Sequence, residues 1–343
     1  MPGVPPCVGA GVKLSLLDRS RTRRGASDAD ALGATVDRAV RAERLGYERF
    51  WVAEHHAVPG IASGSPAVLL AAIGARTERI RIGSGGVMLP LHQPLVVAEQ
   101  FLLLDALHPG RVDLGLGRSL GFTPPVRRAL RRDLDAADTF EDDLVELRRH
   151  LAGAAEVTAR PATGRPVPMH LLATGRGLRL AARLGLPVVV GGPILDSGEL
   201  PDALAGYRRS FVPHDGSAPR VTVALDVLLA DDDATARELA LPEAWALAIS
   251  RQTGEFPPLE PVAAIRAATW TSQVRRRVEG SLDRAVAGGP ATVRRRIEDL
   301  LERTGPTSCW RAPRRTTARR SSSRTGCCGR SWADGRPRAR GRS

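Results

Sequence analysis

Glu54, His55 and His56 stand together directly after a short apolar run, Phe50–Ala53. Imidazole is the side chain most readily set to give or take a proton near neutral pH, so His55 is the first candidate for acid–base work. His56 is assigned the plainer role, a histidine that caps a strand and its loop. A zinc site is not expected, because neighbouring residues on a strand end point to opposite faces and no third ligand is evident. Gly83-Ser84-Gly85-Gly86 closes the next apolar run, where missing side chains permit close backbone approach. A β-bulge is the alternative there. Arg118 follows Val112–Leu116 and Gly117, and Thr174-Gly175-Arg176 follows Pro168–Leu172. A guanidinium meets a phosphate as a planar fork, and backbone N–H groups at a helix N-terminus hold one well. The chain carries 49 arginines, so the type of Arg118 means little, and its place after Gly-Leu-Gly is what counts.

Each candidate ends a strand-like run, and those runs alternate with helical stretches. Strands are expected at Val12–Leu17, Phe50–Ala53, Ile80–Leu89, Val112–Leu116, Pro168–Leu172, Pro187–Val190 and Val221–Ala230. Helices are expected at Asp28–Leu45, from Ser65 to Ala75, and at Pro94–Leu107, Phe140–Leu151, Leu178–Leu184 and Asp233–Ala240. Such alternation argues an α/β architecture, a TIM (β/α)8-type barrel with one strand–helix unit short of eight. A doubly wound sheet is the alternative. In a barrel the chemistry sits at the C-terminal ends of the strands, which is where all these candidates lie. Residues 241–290 exceed what a barrel connection needs and read as either a lid or a solvated excursion.

The wording and order of FWVAEHH, IRIGSGGVMLPLHQPLVVAEQ and HPGRVDLGLGR resemble the bacterial luciferase-like flavin monooxygenases, over about residues 12–303. The resemblance implies a barrel whose strand ends hold reduced flavin mononucleotide (FMN), which with oxygen oxygenates a small organic substrate. It implies His55 beside the flavin in acid–base steps, and a cis peptide at Gly85-Gly86 beneath the ring. Arg118 and the Thr174-Gly175-Arg176 turn would hold its phosphate. Relatives often carry small hydroxyl residues at that turn, so Gly175 and Arg176 are departures that leave the donors open. A separate flavin reductase or a nicotinamide cofactor would supply the reduced flavin, and such proteins commonly form homodimers. The rivals are an F420-dependent hydride-transfer enzyme on the same fold and a non-catalytic flavin-binding relative or truncated pseudoenzyme.

The net charge of +13 suggests a nucleic-acid partner until it is located. Residues 304–343 hold eleven arginines and one acid, Asp334, leaving only +3 on the other 303 residues. A basic nucleic-acid-binding body is therefore rejected. No apolar run is long enough for a membrane span, and no leader pattern precedes the first strand, so a cytoplasmic protein is expected. The four cysteines, Cys7, Cys309, Cys327 and Cys328, have no metal-ligand spacing. Thr292–Arg303 reads as an amphipathic helix, after which the Arg-rich segment lacks apolar periodicity and is expected to be a disordered tail. In another reading frame its GC-rich codons can give DELL and then TYDRAALVESYRLL, a strand and helix. The expectation is a frameshifted terminus in which the eighth β/α unit is lost or garbled.

Overall fold

The computed structural model describes residues 13–120, 123–132, 139–305 and the strand 308–313. The chain opens with β1 (Lys13–Asp18), α1 (Asp28–Arg44), β2 (Arg49–Val52), α2 (Pro66–Gly74), β3 (Arg81–Ser84) and the short β4 (Val87–Met88). Next come α3 (Pro94–Leu107), β5 (Val112–Gly117), α4 (Pro124–Ala129), α5 (Phe140–Leu151), β6 (Met169–Leu172) and α6 (Arg176–Arg183). β7 (Val188–Gly191), α7 (Leu200–Arg209), β8 (Val221–Leu229) and α8 (Asp233–Thr253) follow. The described chain ends with α9 (Val262–Ala267), α10 (Ser272–Arg284), β9 (Val286–Gly288), α11 (Pro290–Thr304) and β10 (Ser308–Pro313). Local chemistry starts these helices where the sequence suggests. Ser27 and Asp30 form a reciprocal capping box at α1, and Pro66 and Pro94 occupy first-turn positions where a missing N–H costs nothing.

All ladder pairings are parallel, in the order β1, β2, β3, β5, β6, β7, β8, β10 and back to β1. The ring is closed, as in a TIM barrel. The helices bury their apolar faces on its outside, with Phe50, Ile82, Leu114 and Leu171 packed against Leu70, Phe101 and Leu147 in one core.

Three differences from the sequence reading have physical causes. The run expected as one strand, Ile80–Leu89, breaks at Gly85-Gly86, where the peptide bond is cis. The eighth strand position is filled rather than lost: the backbone of Ser308–Pro313 pairs with β1 on one side and β8 on the other. Strand pairing draws on backbone groups that every non-proline residue carries, and closure removes two open edges at once. An altered sequence can thus supply the strand; the rest of the expected tail, 314–343, and Val12 lie outside the described residues. The third difference is α8, which was expected to stop at Ala240 but continues through Pro242 to Thr253. Alanine-rich turns favour it, and Ala244 and Ala248 bury against Ile265, Val274 and Val278. The 241–290 segment therefore has a small core of its own and is a packed wall. Four further helices, α4, α7, α9 and α10, are not anticipated by the sequence.

Candidate active site

Side chains from β1, β2, β6, β7 and β8 meet inside the ring: Leu17, Trp51, Leu172, Val189 and Ala224 form a separate apolar cluster. Beneath Trp51, near the strands' N-terminal ends, lies a buried ion cluster. Asp113 accepts from Arg49 Nε at 3.0 Å, from Arg81 Nη2 at 2.5 Å and from Trp51 Nε1 at 3.3 Å. Burial works to raise the Asp113 carboxyl, yet His170, Arg81 and Arg49 hold it below its ordinary value. His170 packs edge-on against Trp51 with centroids 5.1 Å apart, and burial pushes it down to about 4 despite Asp113. The barrel is filled from below, so a ligand has room only at the other end.

Packing explains most of the glycines above this plug. A Cβ on Gly83 would lie 2.5 Å from Trp51 Nε1, and one on Gly86 would lie 2.8 Å from the Gly115 carbonyl. One on Gly115 would strike the Ser84 carbonyl and the Trp51 ring. Ser84 Oγ locks β3 to β5, donating to Gly115 O at 2.8 Å and accepting from Gly115 N at 3.0 Å. Gly117 is different: its nearest neighbour would be Val87 O, 3.9 Å away, so bare space remains there. Gly85, Gly86 and Gly115 thus serve the close packing of β3 against β5, Leu17 and Trp51, and of the four glycines only Gly117 meets open space.

The candidate residues follow adjacent strands at this one rim: His55 after β2, Gly85-Gly86 after β3, Arg118 after β5, and Thr174-Gly175-Arg176 after β6. Arg118 and the Thr174–Arg176 turn are solvent-exposed, and Gly175 has φ +49°. His55 is half-buried and lines a cavity of about 340 Å³. The lining of that cavity does not include the glycines, Arg118 or the Thr174 turn. The rim thus holds all the expected residues, while the enclosed hollow lies to the His55 side of them.

Sequence reasoning missed the other walls of that hollow. Arg19 and Arg21, from the loop after β1, line it, as do Leu247, Glu255 and Phe256 from α8 and the turn beyond. Asp18 anchors this loop, pairing with Arg38 and accepting from Ser20 N at 2.7 Å and Thr35 Oγ1 at 3.0 Å. Arg21 ties it to the insertion: its Nε lies 3.0 Å from Glu243 Oε1, and its guanidinium sits 4.1 Å from the Phe256 ring centre. Arg19 was legible by the strand-end rule itself, since it directly follows the last residue of β1. Burial first, and then the Arg19 and Arg21 charges, push His55 down to about 4. His55 is therefore neutral at physiological pH.

Glu54 is buried, and its Oε1 lies 2.6 Å from both His56 Nε2 and His92 Nε2, while Oε2 accepts from Met88 N at 2.9 Å. Burial opposes its charge, but these partners outweigh it and hold the carboxyl at about 2. His92 is the third ligand-type residue that the sequence reading did not find beside this pair, so the reason then given against a metal falls. Its letters, inside LPLHQP, carried no spacing signal to Glu54. The 2.6 Å contacts are hydrogen-bond distances; ligands of one zinc ion stand roughly 3.3 Å apart, given bonds of ~2.0–2.1 Å.

A closed parallel barrel with histidines and glycines gathered at the strand ends defines an α/β-barrel protein of the TIM type. The family description "Luciferase-like monooxygenase" matches residues 12–308, and the chain belongs to that family. It is similar to a luciferase-like monooxygenase of Escherichia coli K12, 35% identical over 301 residues, covering 85% of this chain and 89% of that protein. It is also similar to the N-acetyl-S-alkylcysteine monooxygenase of Bacillus subtilis, 38% identical over 216 residues, covering 59% of this chain and 63% of that one. The solved structure of apo-MsnO8 superposes with a TM-score of 0.78 at 32% identity, covering 88% of this chain and 92% of the other. Among the described residues no helix is long and apolar enough to cross a membrane.

Proposed function

We propose that this protein is a flavin-dependent monooxygenase that uses reduced FMN and oxygen on a small organic substrate, with His55 as its acid–base residue. The observation that carries the proposal is that His55, Gly85-Gly86 and Arg118 follow adjacent strands at one rim, with open space over Gly117. A flat ring can lie on backbone there, and Gly117 stays bare where packing alone would admit a side chain. Bound reduced FMN would supply the electrons that activate oxygen. The chain's own residues supply the rest. Arg118 and the Thr174-Gly175-Arg176 turn offer cationic and backbone donors at the outer rim for a phosphate. Trp51 and the apolar residues around it keep water from reaching the ring from below. His55, neutral at pH 7, accepts a proton from the reacting groups or passes one on at its imidazole nitrogen.

Titrating the purified protein with FMN tests the reading, with riboflavin and F420 as comparators. The expected result is saturable binding of FMN that perturbs its absorbance, tighter than riboflavin because the phosphate adds contacts. Preference for F420 would transfer the site to hydride transfer. Absence of binding to any of the three would defeat the proposal.

A further inference from the structure

The cavity beside His55 has two cationic side chains in its wall, Arg19 and Arg21, and they are differently engaged. The Arg21 guanidinium is committed: it meets both oxygens of Glu243, donates to Gly60 O at 2.5 Å and lies over Phe256. Glu243 and Arg21 side chains are only 15% and 13% exposed, so this pair is part of the wall. Arg19 makes one hydrogen bond among the described residues, from Nη2 to Asp226 Oδ1 at 3.1 Å, and its side chain remains 34% exposed. Guanidinium carries five N–H donors in a rigid fork. Asp226, Glu243 and Asp18 all act on the charge of Arg19, which lines the hollow, and the ordered loop on Asp18 fixes where it stands. Facing it are Val58, Ile61, Val126, Leu247 and Phe256, which are apolar. A cavity of about 340 Å³ lies at the small end of the range for ligand pockets, roughly 300–1,000 Å³. Glu255, exposed at the outer lip, is the acidic residue of the lining, and it disfavours a second negative charge on the same ligand.

We infer that this cavity takes a small organic monoanion with an apolar arm, a carboxylate being the simplest case, and that Arg19 recognises its charge. The inference names the substrate class of the proposed oxygenation site and rests on that reading for its chemistry, though not for its binding test. Arg19 holds the anionic group as a fork, while the apolar residues take the arm. His55 stands in the same lining, so the arm is brought beside the proposed acid–base group. The relative that acts on N-acetyl-S-alkylcysteine, itself a carboxylate with an alkyl arm, supplies one suitable probe.

The test is calorimetric, on the full chain and without flavin. N-acetyl-S-butylcysteine and hexanoate are each compared with their primary amides, on the wild type and on Arg19→Gln and Arg19→Lys. A charge-assisted contact of this kind predicts that each acid binds roughly 10- to 100-fold more tightly than its amide. Arg19→Gln removes that preference while leaving amide binding unchanged, and Arg19→Lys restores part of it, which a merely structural arginine would not do. If acids and amides bind the wild type alike, or none binds, the inference is overturned. It is equally overturned if Arg19→Gln keeps the preference, or if that variant instead loses FMN affinity while riboflavin affinity is kept, which would make Arg19 a phosphate ligand. Failure of the flavin reading is seen separately, in the FMN titration.

Discussion

Two buried carboxylates sit at opposite ends of the same barrel, and their partners differ. Asp113, in the floor, is held by the guanidiniums of Arg49 and Arg81, with His170 3.9 Å away. Glu54, at the rim, is held by two imidazoles and a backbone N–H. A guanidinium never gives up its proton in a protein, so the floor is a fixed ion cluster that can only bind the strands together. The imidazoles of the rim are partly open to solvent, at 20% and 29% exposure for His56 and His92. The same ingredients, an acid and its bases, form a salt cluster at the floor of the barrel and a hydrogen-bonded network within reach of solvent at the rim.

The comparison breaks first if the floor proves expendable. Asp113→Asn should cost about 3–5 kcal/mol in urea unfolding, because the half-buried guanidiniums of Arg49 and Arg81 lose the buried carboxylate between them and Arg49 keeps only Glu48. Glu54→Gln should cost less, about 1–3 kcal/mol, since its two imidazole partners are partly open to solvent. A larger loss for Glu54→Gln than for Asp113→Asn would erase the distinction. The pH dependence sharpens it with a smaller effect. His55 and His170, both at about 4 in the folded protein, are protonated first in the unfolded chain. Stability should therefore decline as pH falls from the ordinary histidine value of 6.5 toward 4. Glu54 behaves as a depressed acid: its contribution is complete above 4.5 and is lost as pH falls from there toward 2. Urea midpoints at intervals from pH 7 to pH 4 should show the histidine decline, made shallower by His55→Ala. A midpoint that is flat over that range would contradict the buried, neutral state of both rings.

The barrel was legible because parallel strands buried on both faces write long apolar runs, and each run stops where the strand reaches the rim. Val112–Gly117 and Val221–Leu229 show this directly. The rim residues of β2, β3, β5 and β6 followed from the same rule. The cavity's far wall did not, because α8 and Phe256 reach it from a segment whose register on the barrel is set by tertiary contacts, chiefly Arg21 with Glu243 and Thr22 with Leu259. His92 was hidden for a similar reason, lying 38 residues from the Glu54 it meets. The pairing of the altered eighth strand was not legible, because side-chain pattern does not report on a contact that backbone groups make. Two neighbouring edges, not its own letters, place Ser308–Pro313.

The proposal stands or falls on whether flavin chemistry is done at the rim beside His55. It is tested most directly by replacing His55 with Ala and measuring turnover with reduced FMN and FMN affinity on the same preparation. Turnover should fall by roughly 10²–10⁴-fold, the usual share of a general acid–base group, with FMN affinity nearly unchanged. Undiminished turnover in a variant that still binds FMN would contradict it.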